Sequence, residues 1–103
     1  MSRLSKAVAT ALTIMPSTVA VAESRPALIS LVRQDCGSCH GMTLKGGLGA
    51  SLLPDALAGK DANSVSSIIL DGIPGTPMPP WRGLLTEADA RWIAEQLKAG
   101  FPQ

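Results

Sequence analysis

The chain has 103 residues, with nine Lys and Arg against eight Asp and Glu, one His, two Cys and three aromatic side chains. That length holds one domain, and a formal net charge of +1 without a basic run excludes a phosphate backbone as a partner. No internal repeat or low-complexity tract is present, so a repeat array is excluded as well.

Residues 1–22 read as an export signal rather than part of a fold. Arg3 and Lys6 form a positive start, Ala7 to Met15 is apolar but too short to span a bilayer, and Pro16-Ser17-Thr18 breaks any helix. Ala20-Val21-Ala22 supplies the small residues that signal peptidase reads, which places cleavage before Glu23. An uncleaved N-terminal anchor is the alternative; either reading puts the functional part, residues 23–103, outside the cytoplasm. Loss of Arg3 and Lys6 takes the basic count from 9 to 7 against 8 acidic residues, a net charge near −1. A domain of this size has a marginal core, and two tryptophans and one phenylalanine do little to fill it. A bound group is expected to complete the interior.

The first predicted helix starts near Pro26, which suits a first-turn position, and presents Leu28, Leu31 and Val32 on one face. It runs into "QDCGSCHGM", which holds both cysteines and the only histidine. A disulfide between Cys36 and Cys39 closes too short a loop to stabilise the chain, and no βαβ context supports a thioredoxin-like motif. A structural zinc site needs four ligands, and the chain has no second pair. Cys-x-x-Cys-His as a site of covalent c-type haem attachment needs nothing further. Cys36, Cys39 and His40 stand at i, i+3 and i+4, so on a helical turn the two thiols and the imidazole share one face. Gly37 and Ser38 between them are small enough for close approach of a flat macrocycle. One haem per chain, with His40 as proximal iron ligand, is the expectation.

The stretch 41–60 carries Gly46, Gly47 and Gly49 at spacings that match neither a P-loop nor a dinucleotide fingerprint. It is expected to wrap the haem edge as a flexible segment, with Leu52, Leu53 and Leu57 facing the macrocycle. A second helix is predicted over about 63–71, capped by Asn63 or Ser64, burying Val65, Ile68 and Ile69, and stopped by Gly72. "GIPGTPMPPW" follows, where four prolines restrict the backbone around Met78. A soft thioether suits Fe(II), and Met42, two residues from His40, cannot reach the other face of the iron. Met78 is therefore the candidate distal ligand; a stiff surface loop with Met78 in the core is the alternative. The last helix opens at Thr86 with a capping box to Asp89, carries Ile93, Ala94 and Leu97 at helical spacing, and ends at Gly100. Trp81 and Trp92 read first as packing residues, with a haem propionate as a possible partner for Trp81. No strand-length alternation occurs, so the fold class is all-α with three main helices around one haem. No catalytic triad can be assembled, and an iron with two protein ligands carries electrons one at a time. If Met78 does not bind iron, a haem peroxidase-like enzyme is the competing class.

"CGSCHG" after an N-terminal helix, "MPPW" in the distal loop and a tryptophan-bearing last helix together resemble the class I c-type cytochromes, over residues 26–99. More narrowly, "DCGSCHGMTLKGGLG" with "GIPGTPMPPWRGLLTEADARWI" is similar to the small monohaem cytochromes associated with haem-d1 nitrite reductase in denitrifying bacteria. The resemblance implies that a proline carbonyl, Pro54 by position, accepts the N–H of His40. It also implies a periplasmic monomer that either donates electrons to the nitrite reductase or accepts them from an enzyme that completes the d1 haem. A generic periplasmic electron carrier with another partner is the alternative. Lys45, Lys60 and Arg82 are candidates to ring the exposed haem edge.

Overall fold

The computed structural model describes Ala11, Thr13 and residues 21–102, so the expected export signal lies, but for four residues, outside the described residues. The described residues fold as helices joined by loops and contain no strand. Ser24 opens the first helix: its side chain accepts from the Ala27 N–H at 3.4 Å, and Pro26 sits in the first turn where its missing N–H costs nothing. Helix α1 (Arg25–Leu31) passes without a break into a π-helical turn (Val32–Cys36) and then α2 (Gly37–His40). The Gly37 N–H reaches back five residues to the Val32 carbonyl, which widens the turn just ahead of Cys39 and His40. Hydrophobic periodicity cannot show such a turn, because the extra residue changes phase without changing residue type.

The segment after His40 is more ordered than the sequence suggests. It contains a short helix, α3 (Pro54–Leu57), with Pro54 in its first turn. Helix α4 (Ala62–Asp71) is capped by Asp61, whose carboxylate accepts from the Ser64 N–H at 2.7 Å; the expected caps Asn63 and Ser64 lie inside the helix. That hydrogen bond holds the Asp61 carboxyl below the ordinary carboxylate range. Gly72, at φ +66°, ends α4 as expected. Helix α5 (Glu87–Ala99) carries the predicted capping box: the Asp89 N–H donates to Thr86 Oγ1 at 3.1 Å, and the Thr86 N–H donates to Asp89 Oδ2 at 3.0 Å.

The core lies where α4 and α5 pack together, and the first helical run adds Leu28 and Val32 to it. Leu28, Val32, Leu85 and Ile93 are its largest fully buried side chains. Ala90 and Ala94 are completely buried and allow close helix approach. Trp92 stands at the outer side of this core, edge-on to Phe101 with centroids 6.3 Å apart and under the Arg25 guanidinium at 4.4 Å. Lys98 Nζ donates to the Leu57 carbonyl at 3.0 Å and to the Lys60 carbonyl, which ties α3 to α5.

The cap of α5 is local, so its removal should act locally. Thr86→Ala is expected to lower stability by about 1 kcal/mol in urea unfolding of the holoprotein, with an unchanged dependence on denaturant concentration.

Candidate functional site

Residues of the first helical run, α3, α4, α5 and the proline-rich loop surround a cleft of about 880 Å³, near the upper end of the roughly 300–1,000 Å³ usual for small-molecule sites. Cys36, Cys39 and His40 line it from the end of the first helical run, and Met78 lines it from the proline-rich loop. The motif spacing and the loop tethered to α4 thus bring all four candidate residues to one cavity. Leu52, Leu57, Ile68, Ile69 and Trp81 give its walls their apolar character.

The motif end of the first helix is held by the glycine-rich segment. The Gly46 N–H donates to the His40 carbonyl and the Gly49 N–H to the Cys39 carbonyl, both at 2.8 Å, so the chain folds back over the helix terminus. That return puts the Ala50 carbonyl 2.6 Å from His40 Nδ1, and the ring donates to it. Pro54 was expected to be this acceptor, and the structure corrects it. Pro54 occupies the first turn of α3, where a carbonyl points along its own helix axis, while the backbone clamp brings Ala50 alongside the ring. Gly49 completes the seat: a Cβ there would lie 2.8 Å from His40 Nδ1 and Cε1. With Nδ1 turned to a carbonyl, Nε2 is the nitrogen left for a metal.

Met78 is half-buried, and its loop is pinned to the end of α4 by main-chain hydrogen bonds. The Ile73 N–H donates to the Met78 carbonyl at 3.3 Å, the Trp81 N–H to Ile69 at 3.1 Å and the Arg82 N–H to Leu70 at 3.0 Å. Gly72 lies under this loop, where a Cβ would sit 2.6 Å from the Met78 carbonyl oxygen. Met42 is 68% exposed, packs beside Gly37 and does not line the cleft.

Several expected contacts differ. Leu53 caps α3 and packs on the core instead of lining the cleft, and the nearly fully exposed Leu48 lines it instead. Of the three candidate rim cations only Lys60 borders the cleft. Arg82 is paired with Asp71 at 2.8 Å and Glu87 at 3.4 Å. Trp81 lines the cleft; Trp92 does not. The signal that finds Ala50 is the cluster of glycines before it, since a chain that must turn back sharply over a helix end needs them.

A flat apolar macrocycle with two reactive edge groups fits this chain: the cleft is large and apolar, and two free thiols and one imidazole project into it from one turn. The thiols are not equivalent. Burial, and then the neighbouring Asp35 charge, push the Cys36 thiol up to about 11, whereas Cys39 is exposed. In haem-free protein at pH 8, iodoacetamide is expected to alkylate Cys39 at least about tenfold faster than Cys36, as peptide mass mapping over time would show. Gly49→Ala is expected to displace the His40 ring and lose the Nδ1 hydrogen bond, visible as a changed imidazole NMR signature. Gly83→Ala, where a Cβ meets nothing within 4 Å, should leave it unchanged.

Known proteins agree with this geometry. The family model described as cytochrome c oxidase, cbb3-type, subunit III matches residues 27–96. Cytochrome c55X of Stutzerimonas stutzeri is 43% identical over 105 residues, which cover 99% of this chain and 92% of that protein. Cytochrome c55X of Paracoccus denitrificans is 64% identical over 67 residues; the matched region spans 65% of each, just under two thirds of that relative. A dihydro-haem d1 dehydrogenase of Pseudomonas aeruginosa is 33% identical over 89 residues, 72% of this chain but 18% of the enzyme. The solved structure of the c-type cytochrome NirC superposes with a TM-score of 0.72 at 52% identity, covering 73% of this chain and 88% of that one. The chain therefore belongs to the c-type cytochromes, within the cytochrome c55X family, whose members carry one covalently attached haem c.

Proposed function

We propose that the protein is a periplasmic one-electron carrier of the haem-d1 nitrite respiration system, with Cys36 and Cys39 as the thioether attachment points and His40 and Met78 as the axial ligands of one haem. The observation that carries this reading is the meeting of those four residues at one apolar cleft. Bound haem c supplies an Fe(III)/Fe(II) couple, and a Met/His ligand pair raises its potential.

The chain's own contribution is positioning. The Ala50 carbonyl accepts from His40 Nδ1 and so presents Nε2 to the cleft in a fixed ring orientation. The tethered loop holds Met78 at the cavity with little freedom left to lose. Apolar walls exclude water, which disfavours added charge inside. Two protein ligands leave no position for a substrate, which argues for electron transfer over a peroxidase-like reaction. Among the described residues no helix is long and apolar enough to cross a membrane, and the signal-like residues 1–22 support export.

The likeness to part of a dihydro-haem d1 dehydrogenase supports a place in the d1 system. There the protein acts as electron donor to haem-d1 nitrite reductase or as electron acceptor in d1 haem maturation. Stopped-flow mixing tests both: reduced protein with the nitrite reductase and nitrite, and oxidised protein with the dehydrogenase and dihydro-haem d1. Rapid reoxidation in the first identifies the donor, rapid reduction in the second identifies the acceptor, and inertness in both overturns the d1 assignment. Met78→Ala is expected to abolish the low-spin spectrum of both oxidation states, and an unchanged spectrum would remove Met78 as ligand.

A further inference from the structure

Asp89 is a carboxylate that the electron-transfer function does not use, and it is only 4% exposed. It sits in the first turn of α5, where the helix dipole favours a negative charge. Its oxygens accept from the Thr86 N–H at 3.0 Å and from the Glu23 N–H, which stands 3.2 Å from both Oδ1 and Oδ2. None of the ion pairs among the described residues involves Asp89. A buried carboxylate served only by neutral amide hydrogens is a costly arrangement, and a cation placed on it is worth much more than an amide.

The nitrogen that straddles this carboxylate belongs to the residue before which the sequence places the cleavage site. Hydrolysis of the Ala22–Glu23 peptide bond consumes one water, leaves a carboxylate on Ala22 and turns the Glu23 nitrogen into a primary amine, which takes up a proton at neutral pH. We propose that export processing creates an ion pair between the new Glu23 α-ammonium and buried Asp89, which fastens the helix bearing Cys36, Cys39 and His40 onto α5. The inference rests on the reading of residues 1–22 as a cleaved signal.

A sequence reading and a structural observation, made independently, converge on one atom. Small residues at Ala20 and Ala22 set the scissile bond from sequence alone, and the folded chain sets the position of the Glu23 nitrogen from packing alone. Successive residues are about 3.8 Å apart along the chain, so cleavage one residue either way would take the amine out of reach of both oxygens. The location within the fold gives the pair its purpose. Ser24, the next residue, caps α1, so the ammonium stands at the positive end of the motif-bearing helix, where the dipole disfavours a cation and the Asp89 carboxylate offsets that cost. The same helical run is already held to the C-terminal part at two places by cationic side chains: Arg25 lies over Trp92, and Arg33 donates to the Pro102 carbonyl at 2.9 Å. The Glu23 ammonium is a third, and it exists only after the leader has gone. The precursor keeps a neutral N–H there and a weaker clasp.

The test uses exported holoprotein. Intact mass first fixes the N-terminus; a chain that does not begin at Glu23 overturns the cleavage reading, and the ion pair with it, before any stability is measured. The α-amine is then acetylated selectively at mildly acidic pH, which removes its charge but keeps an N–H, and urea unfolding is compared with and without Asp89→Asn. Acetylation is expected to lower the folding equilibrium constant about fivefold or more in the wild type and less than about twofold in Asp89→Asn. Equal effects in the two backgrounds overturn the pair while leaving the cleavage site intact. If Asp89→Asn does not accumulate, a chain with one glycine inserted ahead of Glu23 serves instead: its displaced amine must lose the acetylation effect, and a retained effect overturns the proposal.

Discussion

A carbonyl 2.6 Å from His40 Nδ1 decides which imidazole nitrogen faces the cleft, and much of the lower half of the molecule is arranged to keep it there. Ala50 reaches that position because the Gly46 and Gly49 amides bind the last carbonyls of the motif helix. Those carbonyls are the acceptors that a helix end leaves without partners, so one set of hydrogen bonds both terminates the helix and aims its histidine. Gly49 has no side chain because the ring occupies that space. Helix ending, ring orientation and loop path are thus one constraint expressed three times.

The protein solves the small-domain problem by leaving part of its interior for a prosthetic group. Its own core of Leu, Ile, Val and Ala side chains gathers between α4, α5 and the first helical run, and core residues such as Val65, Ile69, Ile93 and Leu97 also line the cleft of about 880 Å³. In a chain of this length, burial of a large flat group against Leu57, Ile69 and Trp81 adds the apolar contact that the sequence lacks. Covalent attachment makes that contribution permanent, so cofactor binding and folding are coupled by construction.

Legibility in the sequence followed the range of the interactions. The Cys36, Cys39 and His40 cluster, the Thr86–Asp89 capping box and the Gly72 stop are set by residues within a turn of each other, and each lies where its spacing predicts. Met78 was singled out by elimination, since few thioethers exist and the loop around it is stiff, and the structure places it on the cleft. The Pro54 acceptor was misassigned because a carbonyl carries no side-chain signature; the glycines at 46, 47 and 49 signal a sharp return of the chain, and its folded path shows that Ala50 lies against the ring. The π-helical turn at Val32–Cys36 was invisible because it changes phase without changing residue type, and the short helix at Pro54–Leu57 was missed because its packing against α5 is a long-range contact. Asp61 is a missed local signal: it caps α4 two residues ahead of the residue first assigned to that role, in a four-residue stretch where three residues, Asp61, Asn63 and Ser64, are helix-start candidates.

The claim on which the account stands is that one haem iron takes His40 and Met78 as its two protein ligands. Iron-edge X-ray absorption on the exported holoprotein, in both oxidation states, measures that ligand set directly. The account predicts one sulfur scatterer in the first coordination shell beside nitrogen donors alone, present whether iron is Fe(II) or Fe(III). A first shell without sulfur, or one with an open or water-filled sixth position, would contradict it.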